Sequence, residues 1–168
     1  MELLPISLVD FFLPLQVIWK YQRRQASTAP PGVVNVKTMY FKDFDGWGLV
    51  KKRLNEETRR VHIRAGEIRW VTFGVNIGSE IDGKGVSFTR PALVVHVIGS
   101  HLALVIPMST KIKDVAGYVP FEWRGVASAL CVHQIKIVSQ KRILSRKGKI
   151  SKQRLRNIKT EVVKFFGL

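Results

Sequence analysis

Between Phe41 and Leu54 the apolar side chains fall at Phe41, Phe44, Trp47, Val50 and Leu54. Steps of three and four residues put them on one face of a helix, and Asp43 stands where a capping side chain belongs. Gly46 and Gly48 work against that helix. Beyond the polar stretch NEETRR the period changes. Short apolar runs punctuated by Gly, Pro, Ser and Asp predict strands at Ile68–Gly74, Ala92–Ile98, Leu102–Pro107, Tyr118–Trp123 and Ala129–Val138. The connection GSH makes a hairpin of the second and third. From Ser151, which can cap it, Leu155, Ile158, Val162, Phe165 and Phe166 form the stripe of a closing helix. Lys152 and Arg154 in its first turn oppose the helix dipole, a small cost that suggests their charge serves a partner. Five short strands closed by one helix predict a β-rich α+β fold, a small partly open β-barrel with an added N-terminal helix.

The first 38 residues differ from the rest. Leu3 to Trp19 is apolar but interrupted by Pro5, Asp10 and Pro14, too short and broken to predict a membrane helix. A weak anchor in residues 3–19, with its basic flank YQRR held in the cytoplasm, is the alternative to a disordered extension. Met39 is a candidate natural start of the folded protein. Three parts are therefore expected: residues 1–38 as extension or upstream sequence, 39–63 as the amphipathic helix, and 64–168 as the barrel.

Charge changes the picture most. The 168 residues carry a formal net charge of +16. From Lys136 to Lys159 every charged side chain is Lys or Arg. Such an excess favours a polyanionic partner. The lone Cys131, in the apolar run ALCV, excludes an intrachain disulfide and a thiolate metal site, and reads as a small core residue. The chain is expected in the cytoplasm.

Candidate chemistry is sparse. Glu80 and Asp82 are the one tight acidic pair of the folded part, in a Gly-rich loop. His62, His96, His101 and His133 are scattered, and no metal-ligand, P-loop, Rossmann or Gly-x-Ser-x-Gly pattern occurs. An enzyme built from these residues works without metal or cofactor. RNA cleavage is such a chemistry, because the ribose 2′-OH is the nucleophile. The protein then orients the strand, stabilises charge on the phosphate and helps move two protons. In NIGSEIDGKGVSFTRPALVV a polar, Gly-rich loop runs straight into an apolar strand, with Arg90 at the joint. An arginine fork fixed there suits a phosphate.

The segments GEIRWVTFGVNIGSE, RPALVV, IPMSTK and VHQIKIVSQKRI, in that order, make the chain resemble the PemK/MazF toxins of type II toxin–antitoxin pairs over Arg64–Leu168. The longer loop and the Trp47 helix resemble a longer-chain branch. The resemblance implies an SH3-like barrel of the CcdB/MazF/PemK type, a homodimer, an acidic antitoxin as partner, and metal-independent cleavage of single-stranded RNA at short motifs. The products would be a 2′,3′-cyclic phosphate and a 5′-OH. It implies Arg90, Ser109 and Glu80 as catalytic residues, and it places Gln134 in the matching strand segment. Asn76, Ser79, Lys84, Thr110, Lys111, Gln134 and Lys136 are the expected RNA contacts. The family usually carries threonine where Ser109 stands. Serine keeps the hydroxyl but lacks the methyl that restricts its rotamer, and Thr110 can substitute if the loop shifts.

Each residue keeps a plainer alternative. Arg90 can instead tie down the loop through Glu80 or Asp82. Glu80 is a general base or a partner that orients Arg90, and Ser109 is otherwise a turn residue. Trp70 is core or a stacking platform, with core favoured. The basic run is an RNA groove, an antitoxin dock or a solvated face. A gyrase-poisoning toxin and a non-catalytic nucleic-acid binder are the competing functions.

Overall fold

The computed structural model describes residues 41–59 and 61–168. The expectations for residues 1–38, including the 3–19 anchor and the start at Met39, lie outside the described residues. Helix α1 spans Phe44–Glu56, and Asp43 caps it by accepting the Gly46 N–H at 2.8 Å. Seven strands follow: β1 Glu67–Thr72, β2 Thr89–Ile98, β3 Leu102–Ser109, β4 Tyr118–Trp123, β5 Val126–Cys131, β6 Lys136–Ser139 and β7 Ile143–Lys149. Helix α2, Lys152–Phe166, closes the chain, with Ser151 accepting the Arg154 N–H at 3.1 Å. All strand pairs are antiparallel, in the order β4-β5-β3-β2-β1-β7, with β6 also on β3.

The predicted hairpin is β2–β3, and Tyr118–Trp123 is a strand with those bounds. Two differences matter. The single strand expected over Ala129–Val138 is broken at Val132–Gln134 by a 3-10 turn. There the Val132 N–H turns to the Gly117 carbonyl (2.7 Å) and the Ile135 N–H to the Val132 carbonyl (3.0 Å). The break lets β5 and β6 take successive parts of one β3 edge: β5 pairs at Met108 and Ser109, β6 at Leu102–Val105. Strand β7 was not expected. Only Ile143 of its residues is buried, so main-chain pairing with β1 holds it without an apolar alternation to announce it.

The core has two parts because the central strands bury both faces. Ile68, Leu93, Val95, Ile106 and Met108 pack with Ile150 and with Leu155, Ile158 and Val162 of α2. Val71, Phe73, Ala92, Val94, Ala103 and Val105 pack with Ile63, Val138 and Ile143. Burial on both faces explains the continuous apolar run of β2. The C-terminal stripe ends at Val162. Phe165 and Phe166 lie one turn past the core, exposed and packed edge-on against each other at 4.9 Å. Arg154 also has a role inside the fold. It lies 4.1 Å from the Phe121 ring centroid and donates to the Glu122 carbonyl at 2.8 Å, tying α2 to β4.

Helix α1 meets the barrel mainly through Trp47, the only one of its residues that is buried. The Trp47 ring sits edge-on to Phe88 at 5.8 Å, with the Arg142 guanidinium 5.1 Å from its centroid. It presses on Gly74, where a Cβ would lie 2.3 Å from the indole and where φ is +83°. The rest of the predicted α1 stripe is half-buried or exposed, Phe41 and Phe44 included.

Pairing of β1 with β7 is bulged on both sides of Arg69. A buried ion pair steadies it. Arg69 Nε donates to Glu67 at 2.8 Å, while its Nη groups donate to the carbonyls of Leu144 (3.1 Å) and His62 (2.8 Å). Burial works to raise the Glu67 carboxyl. The Arg69 hydrogen bond, the Arg64 N–H and the charges of Arg69 and Arg146 outweigh it and hold the pKa below the ordinary value. A depressed carboxylate adds stability that is present above its unfolded pKa and lost as pH falls through its folded one. Glu67→Gln is expected to cost on the order of 3 kcal/mol at pH 7 by leaving the buried Arg69 charge without its counter-charge. Urea midpoints measured from pH 7 to pH 3 should show that gap narrowing below about pH 4, as the wild-type carboxyl protonates.

Candidate functional site

Arg90 is the second residue of β2, in register with Val71, and Pro91 is in register with Trp70. Its Nε donates to the main-chain carbonyl of Asp82. No carboxylate pairs with its guanidinium among the described residues. Arg90 lines an open cleft of about 790 Å³ together with Lys84, Thr89, Pro91, Ser109, Thr110 and Ser128. The floor is apolar, made by Ile68, Trp70, Met108, Trp123 and Val126. Gly85, Arg124, Arg146 and Lys147 complete the lining, which contains no Asp or Glu. Lys147 lies 4.6 Å from the Trp70 ring centroid and Arg124 lies 5.6 Å from that of Trp123. The Trp123 indole N–H is buried and has no partner among the described residues. Such a cleft suits a ligand that is anionic and partly planar.

Ser109 ends β3 where β3 pairs with β5, opposite Ala129. Its Oγ accepts the Lys111 N–H at 3.1 Å, so the hydroxyl is held at the strand end. Thr110 lines the cleft beside it, while Lys111 is exposed and does not. Cys131 lies at the end of β5, fully buried, and burial pushes its thiol up despite the charges of Arg90 and Lys113.

The loop between β1 and β2 is a built structure. Asn76 N–H donates to Asp82 Oδ1 (2.6 Å) and its Nδ2 to the Ile81 carbonyl (2.8 Å). Gln134, from the 3-10 turn, accepts the Ile81 N–H (3.1 Å) and donates to the Ser79 carbonyl (3.4 Å). Lys84 and Thr89 exchange main-chain hydrogen bonds of 2.9 and 3.0 Å across the turn. Glu80 does not line the cleft. Its side chain is 56% exposed and 3.9 Å from Lys136 Nζ. Of the expected residues, then, Arg90, Ser109, Thr110 and Lys84 share one cleft. Asn76, Ser79 and Gln134 secure the loop, and Glu80 and Lys136 pair outside the cleft. The expectation that Arg90 is tied down through Asp82 holds at the main chain, not at the carboxylate.

Sequence reasoning missed Trp123 and Arg124, included Arg146 and Lys147 only within the basic run offered as a groove, and favoured core for Trp70, which is half-buried and lines the cleft. A strand reading of ILSRKGK would have brought Arg146 and Lys147 to the edge of β1. Among the described residues no three His, Cys, Asp or Glu side chains cluster as a metal site, and no helix is long and apolar enough to cross a membrane.

The open, curled antiparallel sheet and this cleft define a small toxin-type barrel. The chain belongs to the family of PemK-like, MazF-like toxins of type II toxin–antitoxin systems, whose model matches residues 64–166. Among solved structures it is similar to MazF (Form-I) from Deinococcus radiodurans, at 20% identity and a TM-score of 0.52, over 64% of this chain and 99% of that one. It is similar also to the MazE–MazF structure (Form-II) from that organism, at 17% identity and a TM-score of 0.47, over 64% and 98%. A third likeness is to an endoribonuclease in complex with its cognate antitoxin from a mycobacterial species, at 12% identity and a TM-score of 0.49, over 64% and 97%. The first of these shows a shared fold. No curated protein matches the chain.

The loop depends on Gly83, where a Cβ would fall 1.8 Å from the Phe88 carbonyl oxygen. Gly83→Ala is expected to open the loop and spare the sheet. Amide exchange at Lys84 and Phe88 should quicken by about tenfold or more, with Leu93 and Val94 unchanged.

Proposed function

We propose that the cleft is the active site of a metal-independent endoribonuclease that cuts single-stranded RNA at short motifs. The observation that carries this reading is Arg90, held by a carbonyl and left without an acidic partner, in one cleft with Ser109 and Thr110. The substrate's 2′-OH attacks the adjacent phosphorus. The 2′-O–P bond forms as the P–O5′ bond breaks, giving a 2′,3′-cyclic phosphate and a 5′-OH. One proton leaves the 2′-OH and one reaches the departing 5′ oxygen.

Arg90 takes the charge that builds on the non-bridging oxygens, a task for which a fork of fixed N–H groups suits phosphate. It also hydrogen-bonds the departing 5′ oxygen or passes it a proton; a guanidinium is protonated at neutral pH and has only N–H donors, so it cannot serve as the base. Ser109, with Thr110 beside it, donates to the same oxygens. Glu80 acts on the 2′-OH only from a rearranged loop, because its carboxylate stands with Lys136 outside the cleft. The cations Lys84, Arg124 and Lys147 hold neighbouring phosphates. Lys111 and Lys136 extend that basic surface, and Asn76, Ser79 and Gln134 act by shaping the loop. As a member of its family the protein acts as a homodimer and is inhibited by an acidic antitoxin segment laid over this basic surface.

Purified protein incubated with a long single-stranded RNA in EDTA should yield 5′-OH and cyclic-phosphate ends. Arg90→Ala should lower the rate by about 100-fold or more. Ser109→Ala should lower it less, and Ser109→Thr should match or exceed the wild type. Bound but uncut RNA would overturn the reading in favour of a binder, and inhibited DNA supercoiling would favour a gyrase poison.

A second outcome concerns salt. Lys84→Ala and Arg124→Ala should each weaken binding to RNA of any sequence. Each should also reduce the slope of log affinity against log salt by about 0.7, as expected when one single-strand phosphate contact is lost. Fluorescence anisotropy across a salt series measures it.

A further inference from the structure

We infer that Lys42, which precedes α1 and lies outside the family-matched stretch, is a positioning residue for Arg90; the inference rests on the ribonuclease reading. Lys42 Nζ donates to the carbonyl oxygens of Asn76 (2.5 Å) and Gly78 (3.1 Å) and stands 3.3 Å from Asp82 Oδ2. An ammonium group has three N–H donors, and here three acceptors receive them. The Lys42 side chain is only 19% exposed and that of Asp82 only 15%, so this is a mostly desolvated lock rather than a solvated surface pair.

All three acceptors belong to the turn that sets Arg90. Asp82 is engaged at both ends: its carboxylate takes Lys42 and the Asn76 N–H, and its carbonyl takes Arg90 Nε. Lys42 therefore does two things. It fixes the main chain on which the guanidinium rests. It also neutralises the carboxylate of Asp82, the residue whose carbonyl holds Arg90, and keeps it in the turn. Without the ammonium, only the Asn76 N–H holds that carboxylate in the turn, and a rotation toward the guanidinium would pair the two and withdraw the charge from the substrate. Gln134 also secures this turn, at Ser79 and Ile81, but it carries no charge to hold Asp82. The segment before the family-matched barrel is thus part of the active-site apparatus and not only an appendage docked through Trp47.

The test compares Lys42→Met, which keeps the stem and removes the ammonium, with Lys42→Arg. A misplaced or paired Arg90 lowers the chemical step more than binding. Lys42→Met is therefore expected to reduce kcat by about 10- to 100-fold, with KM changed by no more than about threefold. Lys42→Arg should recover most of the loss. In an Arg90→Ala background, Lys42→Met should add no further loss, since the two act through one group. A Lys42→Met enzyme with wild-type kcat, or a Lys42→Arg enzyme no better than Lys42→Met, would overturn the inference. Amide exchange separates this failure from failure of the ribonuclease reading. If the wild type cuts no RNA, that reading falls, and exchange alone decides whether Lys42 locks the loop. Faster exchange at Asn76–Asp82 in Lys42→Met, with Leu93 and Val94 unchanged, supports the lock; unchanged exchange there sinks it.

Discussion

A guanidinium can serve an external anion only if nothing inside the protein has already neutralised it, and it can serve well only if it does not wander. Carboxylates satisfy the second condition at the expense of the first. The Asp82 carbonyl that receives Arg90 Nε satisfies both, because a main-chain oxygen fixes direction and leaves the net charge intact. The acids around the cleft are engaged elsewhere. Asp82 Oδ2 faces Lys42, Glu67 faces Arg69 and Arg146, and Glu80 faces Lys136. The positive cleft is as much a matter of where acids are held as of where bases are placed.

The barrel supplies the rigidity this arrangement needs. Arg90 stands at the mouth of β2, whose next residues Ala92–Val95 are buried on both faces. Ser109 stands at the far end of β3, at the point where the β3 edge is taken by β5 and no longer by β6. That change of partner comes from the 3-10 turn at Val132–Gln134, and the same turn presents Gln134 to the Gly-rich loop. One local break in a strand therefore curls the sheet and secures the loop together. Side chains of strands packed in this way have little freedom to drift, because core atoms at crystal-like density leave no room for a shift of an ångström.

Much of this was legible in the chain itself, and the boundary between legible and hidden is physical. Elements with a strong period announced themselves: the capped helix at Asp43, the hairpin around GSH, the strand Tyr118–Trp123, the capped C-terminal helix. What stayed hidden was held by main-chain or long-range contacts that leave no local pattern. Strand β7 buries one side chain and looks like a charged loop. The break inside ALCVHQIKIV is imposed by a carbonyl of Gly117, fifteen residues upstream of Val132, while Ile135, Ile137 and Val138 resume the apolar residues beyond it. At the site, Arg90 stood out because a charge at the mouth of an apolar strand is unusual. Lys147 and Arg124 did not, because exposed cations are common in a chain of net charge +16. Lys42 looked like one more lysine, and only the fold reveals the three acceptors around it.

Magnitudes decide how much weight the serine at position 109 carries. A phosphate about 4 Å from a guanidinium, at an effective dielectric near 20, is attracted by roughly 4 kcal/mol. A single neutral hydrogen bond contributes about 1 kcal/mol net. The methyl that distinguishes threonine from serine acts only on that smaller quantity, by limiting the rotamers its hydroxyl must give up. Here the Lys111 N–H already holds the Ser109 oxygen at 3.1 Å, which does part of the methyl's work from outside the side chain. The charge–charge contribution is several times larger and rests on the loop that seats Arg90. On the proposed ribonuclease reading, a cleft organised this way tolerates a freer hydroxyl far better than a neutralised or displaced arginine, so the residues that keep the guanidinium unpaired matter more than a missing methyl at position 109.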